Sequence, residues 1–382
     1  MPQSGMLMVG MPESIHISGQ KIIPQADIIR NIYVHVPFCT HICPYCSFYK
    51  TRNLTHSMAP FLPALEREVE AIREYLPVLP ETIFFGGGTP TALSVSQLTE
   101  MGRFWPWKEV MEFTMEANPM TVSSRKAETL QELGVNRISL GVQAFDETSL
   151  QLLGRTHRAP DVVKTFRRLR QYGFNNINID LMFALPGQSM QTWQSSLQQA
   201  LELEPDHISL YELTYEEDTE FLEKLQAGLL QEESTGQEMH EWAIELLHSN
   251  EFVNYEVSNF ARTGKEARHN LACWAGEDYI GLGPSACSTV GRHRWKTVAD
   301  IHRYGNNPLE REWEIMDEST RRQEKIMLGL RTNRGIPGEW IQDREQLVEN
   351  LEQDRFLRRD QDRIVLTSRG LLVADSITEE LL

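Results

Sequence analysis

Cysteine is scarce in this chain: five in 382 residues, with three of the five inside eight positions. So few thiols exclude a disulfide-dense scaffold. Basic residues are also in deficit, 37 Lys and Arg against 54 Asp and Glu, for a formal net charge of −17 and a pI near 5.2. That balance argues against broad nucleic-acid binding, which favours a basic face, though a local basic patch is still allowed. No apolar run reaches the ~18 residues needed to span a membrane. The N-terminus has no basic stretch followed by an apolar core, so it does not resemble a secretory signal. The Gly, Pro and Ser of residues 1–29 suggest a mobile lead-in. Clustered thiols without an export signal fit a reducing cytoplasm. What is present in ordinary measure is core material: 41% hydrophobic and 24% charged residues suit a globular protein. The length allows one large domain plus a small one.

The three clustered cysteines, Cys39, Cys43 and Cys46, are spaced C-x3-C-x2-C. Thiolates are soft ligands that select zinc, copper(I) or an iron–sulfur cluster. A structural zinc site or a cubane usually takes four protein ligands, and this run offers three. Cys273 and Cys287 stand far off with no cysteine beside them. A disulfide between any two of the three would strand the last. The simplest reading is a cubane with one iron open to a non-protein ligand. His35 or His41 completing a zinc site is the alternative. The preceding Ile32-Tyr-Val-His-Val segment predicts a strand, so the thiolates fall on a loop past a strand's C-terminal end, where α/β barrels carry their chemistry.

Strand-like runs recur at Asn31–Val36, Glu81–Phe85, Glu112–Ala117, Arg137–Val142, Asn176–Met182 and His207–Leu213. Apolar stripes at helical spacing separate them, such as Phe61, Leu62, Leu65, Val69, Ile72 and Leu76. This alternation predicts βαβ units, a parallel sheet and, through right-handed crossovers, most of a barrel. The Ile, Val, Phe and Leu of the strands suit burial on both faces. Beyond Leu213 the pattern predicts a long helix over Gln231–Asn250, a strand over Tyr255–Phe260 and a Gly-rich stretch over Gly276–Gly291. A helix around Arg321–Arg331, another near Arg344–Leu351, a strand at Arg363–Leu366 and a final helix from Arg369 read as a small winged-helix-like module. The predicted fold class is α/β: a partial (β/α)6 barrel over residues 30–290 and a C-terminal α+β module over 291–382.

Polar loops close the predicted strands. Phe85-Gly86-Gly87-Gly88-Thr89-Pro90 follows the second, and its glycines permit unusual dihedrals and close approach of a ligand to the main chain. Glu116 ends the third, where a carboxylate can pair with a ligand ammonium; the alternative is a solvated loop glutamate. Gln143 ends the fourth, Arg155 follows in Leu153-Gly-Arg-Thr-His, and Asp180 ends the fifth.

C-x3-C-x2-C after Tyr33-Val-His-Val-Pro-Phe, then GGGTPT, E-x-N-P, GVQ and D-L-x-x-x-L-P-G, resembles the radical S-adenosylmethionine superfamily. Within it the pattern resembles the branch of the coproporphyrinogen dehydrogenase (HemN) and the heme chaperones (HemW), over roughly residues 30–382. The resemblance implies that Cys39, Cys43 and Cys46 hold a [4Fe–4S] cluster whose open iron takes the amine and carboxylate of S-adenosylmethionine. It implies Tyr33 and Tyr45 near the cluster and nucleoside, Gly87, Gly88 and Thr89 at the methionine end, and Glu116 at its ammonium. Gln143, Arg155 and Asp180 match positions that contact a second S-adenosylmethionine in the dehydrogenase. Reductive cleavage of the sulfonium would give a 5′-deoxyadenosyl radical.

Two positions separate the branches. The dehydrogenase has a further cysteine two residues after the third; here that residue is Phe48, as in the chaperones. The chaperones carry H-N-x-x-Y-W where this chain has His269-Asn-Leu-Ala-Cys273-Trp274. Imidazole and thiolate both serve as heme axial ligands. His269 is therefore the candidate heme contact, with Cys273 a neighbouring donor; the alternative is that His269 and Trp274 pack a loop against the barrel. The resemblance thus implies a heme chaperone handing heme to an acceptor protein, with an electron donor and a homodimer as expected partners. The other reading is an oxygen-independent coproporphyrinogen III oxidase.

Overall fold

The computed structural model describes residues 29–53, 58–76, 80–104, 109–231 and 235–382. The lead-in expected over residues 1–29 lies, apart from Ile29, outside them. Six parallel strands form the centre: β1 (Asn31–Val36), β2 (Thr82–Gly87), β3 (Glu112–Ala117), β4 (Arg137–Gln143), β5 (Ile177–Phe183) and β6 (His207–Glu212). They pair in sequence order, each reached through a helical crossover. The crossover helices begin where a side-chain oxygen can take a free backbone N–H. Ser94, Ser123, Asp146 and Ser189 each accept from the residue three positions on.

The strands are buried on both faces, as expected, but the two faces differ. Successive side chains point to opposite sides. Ile32, Val34, Phe85, Met115, Ile138, Leu140, Ile179 and Leu210 join the apolar core with the helices. The alternate positions, among them Asn31, His35, Thr82, Glu112, Thr114, Arg137, Ser139, Asn178 and His207, are buried and polar. The inner face of the partial barrel is thus a polar lumen, a feature the apolar-rich reading of the strands did not announce. A dry polar lumen must satisfy its own hydrogen bonds, and it does so in part. The Asn178 amide donates to Ser139 Oγ at 2.7 Å and to Asp180 Oδ1 at 2.6 Å, while Asn178 Oδ1 lies 2.6 Å from His207 Nδ1.

The sheet does not stop at six strands. A hairpin, β7 (Val253–Glu256) and β8 (Asn259–Ala261), extends it beyond β6, where one strand had been expected. Beyond β1 it continues through β9 (Tyr279–Leu282), β10 (Cys287–Val290), β11 (His293–Thr297) and β12 (Arg311–Ile315). The boundary expected at 290/291 therefore falls inside a hairpin, with Val290 paired to His293 and Cys287 to Lys296. His293–Thr297 and Arg311–Ile315 belong to the main sheet because their ladder hydrogen bonds are made there. A second core is built by Ile326, Leu330, Ile336, Ile341, Val348, Leu351, Ile364 and their neighbours. Its three short strands run in the order Ile336–Pro337, Arg363–Leu366, Leu357–Asp360. Leu357–Asp360 completes a wing of which only the second strand was predicted. The final helix is two pieces, Ser368–Leu371 and Ala374–Leu381. Among the described residues no helix is long and apolar enough to cross a membrane.

A buried glutamate pins the extra strands to the barrel. Glu68, on the helix Phe61–Ile72 after β1, is fully enclosed. Its carboxylate accepts from Gly283 N–H and Tyr304 O–H, both at 2.8 Å, and pairs with the buried Arg311 at 3.4 Å. Breaking one side of a buried pair leaves an uncompensated charge, at a cost of about 3–5 kcal/mol. Glu68→Ala is expected to lower unfolding stability by that order in a denaturant titration, and Glu68→Gln, which keeps the shape, by less.

Candidate functional site

The cysteine loop leaves the C-terminal end of β1 and is held to the barrel at four places. Thr51 N–H donates to Pro37 O at 2.7 Å, returning the loop beside the strand it left. His35 closes the loop from below, its Nε2 2.8 Å from Tyr49 O and its Nδ1 3.0 Å from Tyr33 O–H. Burial lowers the His35 pKa to about 4, so the ring is neutral. Its Nε2–H then donates to Tyr49 O, and Nδ1 accepts from Tyr33. Both nitrogens are spent, which removes His35 as a zinc ligand. Third, Phe221 N–H, from the helix Glu220–Gln226, donates to Pro44 O at 3.2 Å, and the Tyr45 and Phe221 rings meet edge to face at 6.2 Å. Fourth, Arg155 donates through Nη1 to Cys43 Sγ at 3.6 Å and through Nη2 to Gly141 O at 2.5 Å.

The glycine run after β2 is explained by the protein's own packing. Gly87 has φ +102, and a Cβ there would lie 2.4 Å from the His35 ring. A Cβ on Gly88 would lie 2.7 Å from the backbone of Pro37. Gly88 and Thr89 N–H groups donate to Val36 and Phe38 carbonyls at 2.9 and 2.8 Å. The glycines therefore seat the second loop against the first, a reason beyond close approach of a ligand. Gly87 N–H also donates to Glu116 Oε2 at 3.1 Å. Glu116 is not a solvated loop residue: burial, then the neighbouring Asp180 carboxylate, raise its pKa to about 7. Gln143 sits at φ +71, where the β4–β5 register shifts. That bulge turns its amide toward Gly141 and Arg155. Asp180 is half-buried in the middle of β5 rather than at its end, accepting from Ser139 Oγ at 3.2 Å.

Cys39, Cys43, Cys46, Thr89, Gly87, Glu116, Gln143, Arg155 and Asp180 thus gather at the C-terminal rim and just inside it. Tyr33 lies deeper, with its phenol on His35. His269 is elsewhere. It is fully buried on the helix Arg268–Trp274, with Nδ1 2.8 Å from Thr82 Oγ1 at the first residue of β2. Glu112, the first residue of β3, accepts from Arg268 N–H at 2.7 Å and His269 N–H at 3.1 Å. His269 therefore closes the opposite end of the lumen from the cysteines. Sequence reasoning missed Arg137, a fully buried lumen cation, as well as the Phe221 helix. The period-two alternation Glu-Phe-Thr-Met-Glu and Arg-Ile-Ser-Leu in β3 and β4 was the available signal for the polar face.

The donor set fits an iron–sulfur cluster. All three thiols are free and half-buried. Burial, then the charges of Cys46 and Cys43, push Cys39 up to about 12, and Cys46 is raised for the same first reason. Crowded thiolates of this kind need a cationic centre to offset them. Among the described residues no three His, Cys, Asp or Glu side chains meet closely enough for a single metal ion; a cubane gives each thiolate its own iron. Buried Arg155 Nε has no partner among the described residues, leaving a donor beside the thiols.

The sequence matches the description "Radical SAM superfamily" over residues 33–200. It is 35% identical over 373 residues to the heme chaperone HemW of Lactococcus lactis subsp. lactis (strain IL1403), covering 92% of this chain and 97% of that protein. The heme chaperone HemW of Bacillus subtilis (strain 168) is 34% identical over 373 residues, covering 91% and 98%. The chain belongs to the HemW family of the radical SAM superfamily. A vertebrate relative, the mitochondrial radical S-adenosyl methionine domain-containing protein 1 of Danio rerio, is 31% identical over 395 residues, covering 94% of this chain and 88% of that protein. Among solved structures, coproporphyrinogen III oxidase (HemN) from Escherichia coli superposes with a TM-score of 0.81 at 21% identity, covering 94% and 92%, and shows the same fold. The radical SAM fold implies a [4Fe–4S] cluster and S-adenosylmethionine.

Two expected outcomes follow. Arg155→Ala should leave the fold intact and weaken cluster retention by about 10–100-fold, the usual cost of removing a group that orients a metal ligand; chelator competition followed by the brown cluster absorbance measures it. The second concerns pH. Glu256, buried at the end of β7 and accepting from Ser258 N–H at 3.0 Å, has its pKa raised by burial to about 7. Its folded pKa exceeds the unfolded 4.5, so its contribution is full below about 4.5 and lost as pH rises through about 7. At 1.36 kcal/mol per pKa unit the loss is about 3 kcal/mol at most. Buried His35 and His157, both lowered to about 4 chiefly by burial, act oppositely: their support is present above about 6.5 and lost as pH falls. Tm of the cluster-free chain should peak between about pH 5 and 7, and Glu256→Gln should flatten the alkaline side.

Proposed function

We propose that this chain binds heme as cargo and passes it to an acceptor protein, using a cysteine-held cluster and S-adenosylmethionine to govern the transfer. The observation that carries this reading is the end-to-end correspondence with relatives named heme chaperone HemW, including one of which the chain covers 97%. Phe48 supports it, standing where the dehydrogenase has a further cysteine. Cys39, Cys43 and Cys46 would hold the cluster, with Arg155 bonded to one sulfur and the Gly87–Thr89 turn beside it. Glu116 is placed for a ligand ammonium. At neutral pH it is partly protonated without ligand, and a cation beside it would pull its pKa back down and release the proton. When bound, the cluster supplies an electron at low potential to the sulfonium. Gln143 and Asp180 would complete the polar site, with Tyr45 at its rim and Tyr33 deeper in the lumen. The heme acceptor is a protein, an electron donor is required, the site of action is the cytoplasm, and the working form is a homodimer.

His269 as the heme contact needs the Arg268–Trp274 helix to swing out, because the imidazole is enclosed. Its Nε2 is buried with no hydrogen-bond partner among the described residues and is the ring nitrogen open to a ligand. Hemin titration followed in the Soret band checks this. Saturable one-per-chain binding that His269→Ala weakens at least tenfold is the expected outcome; an unchanged titration removes His269 from the heme site. Anaerobic reconstitution with S-adenosylmethionine, a reductant and coproporphyrinogen III separates the two activities. No stoichiometric protoporphyrinogen is expected, and its formation would make the chain an oxidase.

A further inference from the structure

An open cleft of 490 Å³ lies where the main sheet meets the C-terminal module. That volume is in the range of small-molecule sites, ~300–1,000 Å³. One wall is a single face of the helix Glu318–Leu330, because Glu318, Arg321, Arg322 and Lys325 recur at i, i+3, i+4 and i+7. Arg292, at the turn between β10 and β11, faces them, and Trp340 closes one end. Four cations and two carboxylates, Asp278 and Glu318, line it. The lining thus holds two more cations than carboxylates, one of them offset by Glu324 behind Arg321, on a chain whose net charge is −17.

These cations are not equivalent. Arg321 is committed: Nη1 pairs with Glu324 at 2.5 Å and Nη2 donates to Gly276 O at 2.7 Å. Arg322 gives Nη2 to Trp340 O at 2.7 Å, and Arg292 gives Nε to Met316 O at 2.8 Å. These bonds to carbonyls fix the two guanidiniums without neutralising them. Neither arginine, nor Lys325, pairs with a carboxylate among the described residues. Lys325 lays its stem on the end of the His269 helix, since a Cβ on Gly276 would meet Lys325 Cγ at 2.9 Å.

The cleft sits at the far rim from the cysteines. Asp278 precedes Tyr279, which pairs with Asn31, the first residue of β1; the cysteine loop follows the last. Six residues at about 3.3 Å each put some 20 Å between the rims. A ligand in the cleft is therefore out of reach of chemistry at the cysteine loop and is only held.

We propose that this cleft is a porphyrin-carboxylate site: Arg292, Arg322 and Lys325 take the two propionates of heme, and Trp340 offers its indole to the ring edge. This rests on the heme reading above and adds where, and by which charges, the cargo is held. Guanidinium–carboxylate recognition suits paired propionates, and an indole suits a flat conjugated ring.

The test titrates hemin and hemin dimethyl ester into the cluster-loaded chain and into the triple variant Arg292→Gln/Arg322→Gln/Lys325→Gln. The parent is expected to bind hemin at least tenfold more tightly than the ester. The variant should lose at least tenfold for hemin and leave the ester unchanged. Lys325→Glu, which breaks no hydrogen bond among the described residues, replaces the triple variant if that one misfolds, with a loss of about tenfold expected. Saturable hemin binding by the parent with the variant within twofold overturns the cleft and leaves the heme reading standing. No saturable hemin binding by the parent overturns both.

Discussion

A single guanidinium holds together what the site needs. Arg155 reaches Cys43 Sγ with one amino group and Gly141 O with the other. It spans the cysteine loop and the bulged end of the fourth strand. Three thiols on a loop of little regular structure repel one another once ionised, and burial makes Cys39 and Cys46 harder to ionise. A fixed cation beside one sulfur offsets that repulsion, and being hydrogen-bonded at both ends it cannot drift. Gly154, at φ +64, brings the arginine's own loop against Pro44 and His41, where a larger residue would strike Pro44 at 2.8 Å. The remaining ties, through His35, Phe221 and Thr51, fix the loop's ends and flank.

The lumen makes the complementary demand. A parallel sheet covered by helices on one side can be stabilised by its outer face alone, and here Ile, Val, Leu, Met and Phe perform that task. The inner face is then free to be polar at a cost. Glu116 and Asp180 have raised pKa values because burial disfavours their charged forms, with Arg137 among the groups pulling both down. Such a lumen is less stable than a hydrocarbon one, and its polarity is what a ligand with an ammonium and a carboxylate requires. The buried Glu68, Tyr304 and Arg311 group anchors the outer strands that widen the sheet on the other flank.

Much of this was legible in the residues because periodicity and turn chemistry speak at short range. The six central strands lie within a residue or two of their expected bounds, since apolar runs framed by glycine, proline and caps leave little freedom. Glu116 and Gln143 came together because each lies at the end of a strand of the same parallel sheet, whereas Asp180, expected at the end of β5, sits mid-strand and Arg155 reaches in from a loop. What stayed hidden depends on long-range pairing. Arg-Glu-Trp-Glu-Ile over Arg311–Ile315 looks like solvated charge until the β11 edge is there to pair with it. The Glu68 pair joins positions 243 residues apart, and no local pattern announces it. The motif around His269 did not say where in the barrel it sits; Glu112 and Thr82 hold it at the opposite rim from the cysteines.

The central claim is that three cysteines hold an iron–sulfur cubane and leave one iron for S-adenosylmethionine. The most direct test is electron paramagnetic resonance of the dithionite-reduced, anaerobically reconstituted chain, before and after S-adenosylmethionine is added, with iron and sulfide quantified on the same sample. Four irons per chain and a reduced-cluster signal whose g-values move on addition are the expected result. Zinc without iron, or a cluster signal indifferent to S-adenosylmethionine because a fourth side chain fills the open corner, would contradict it.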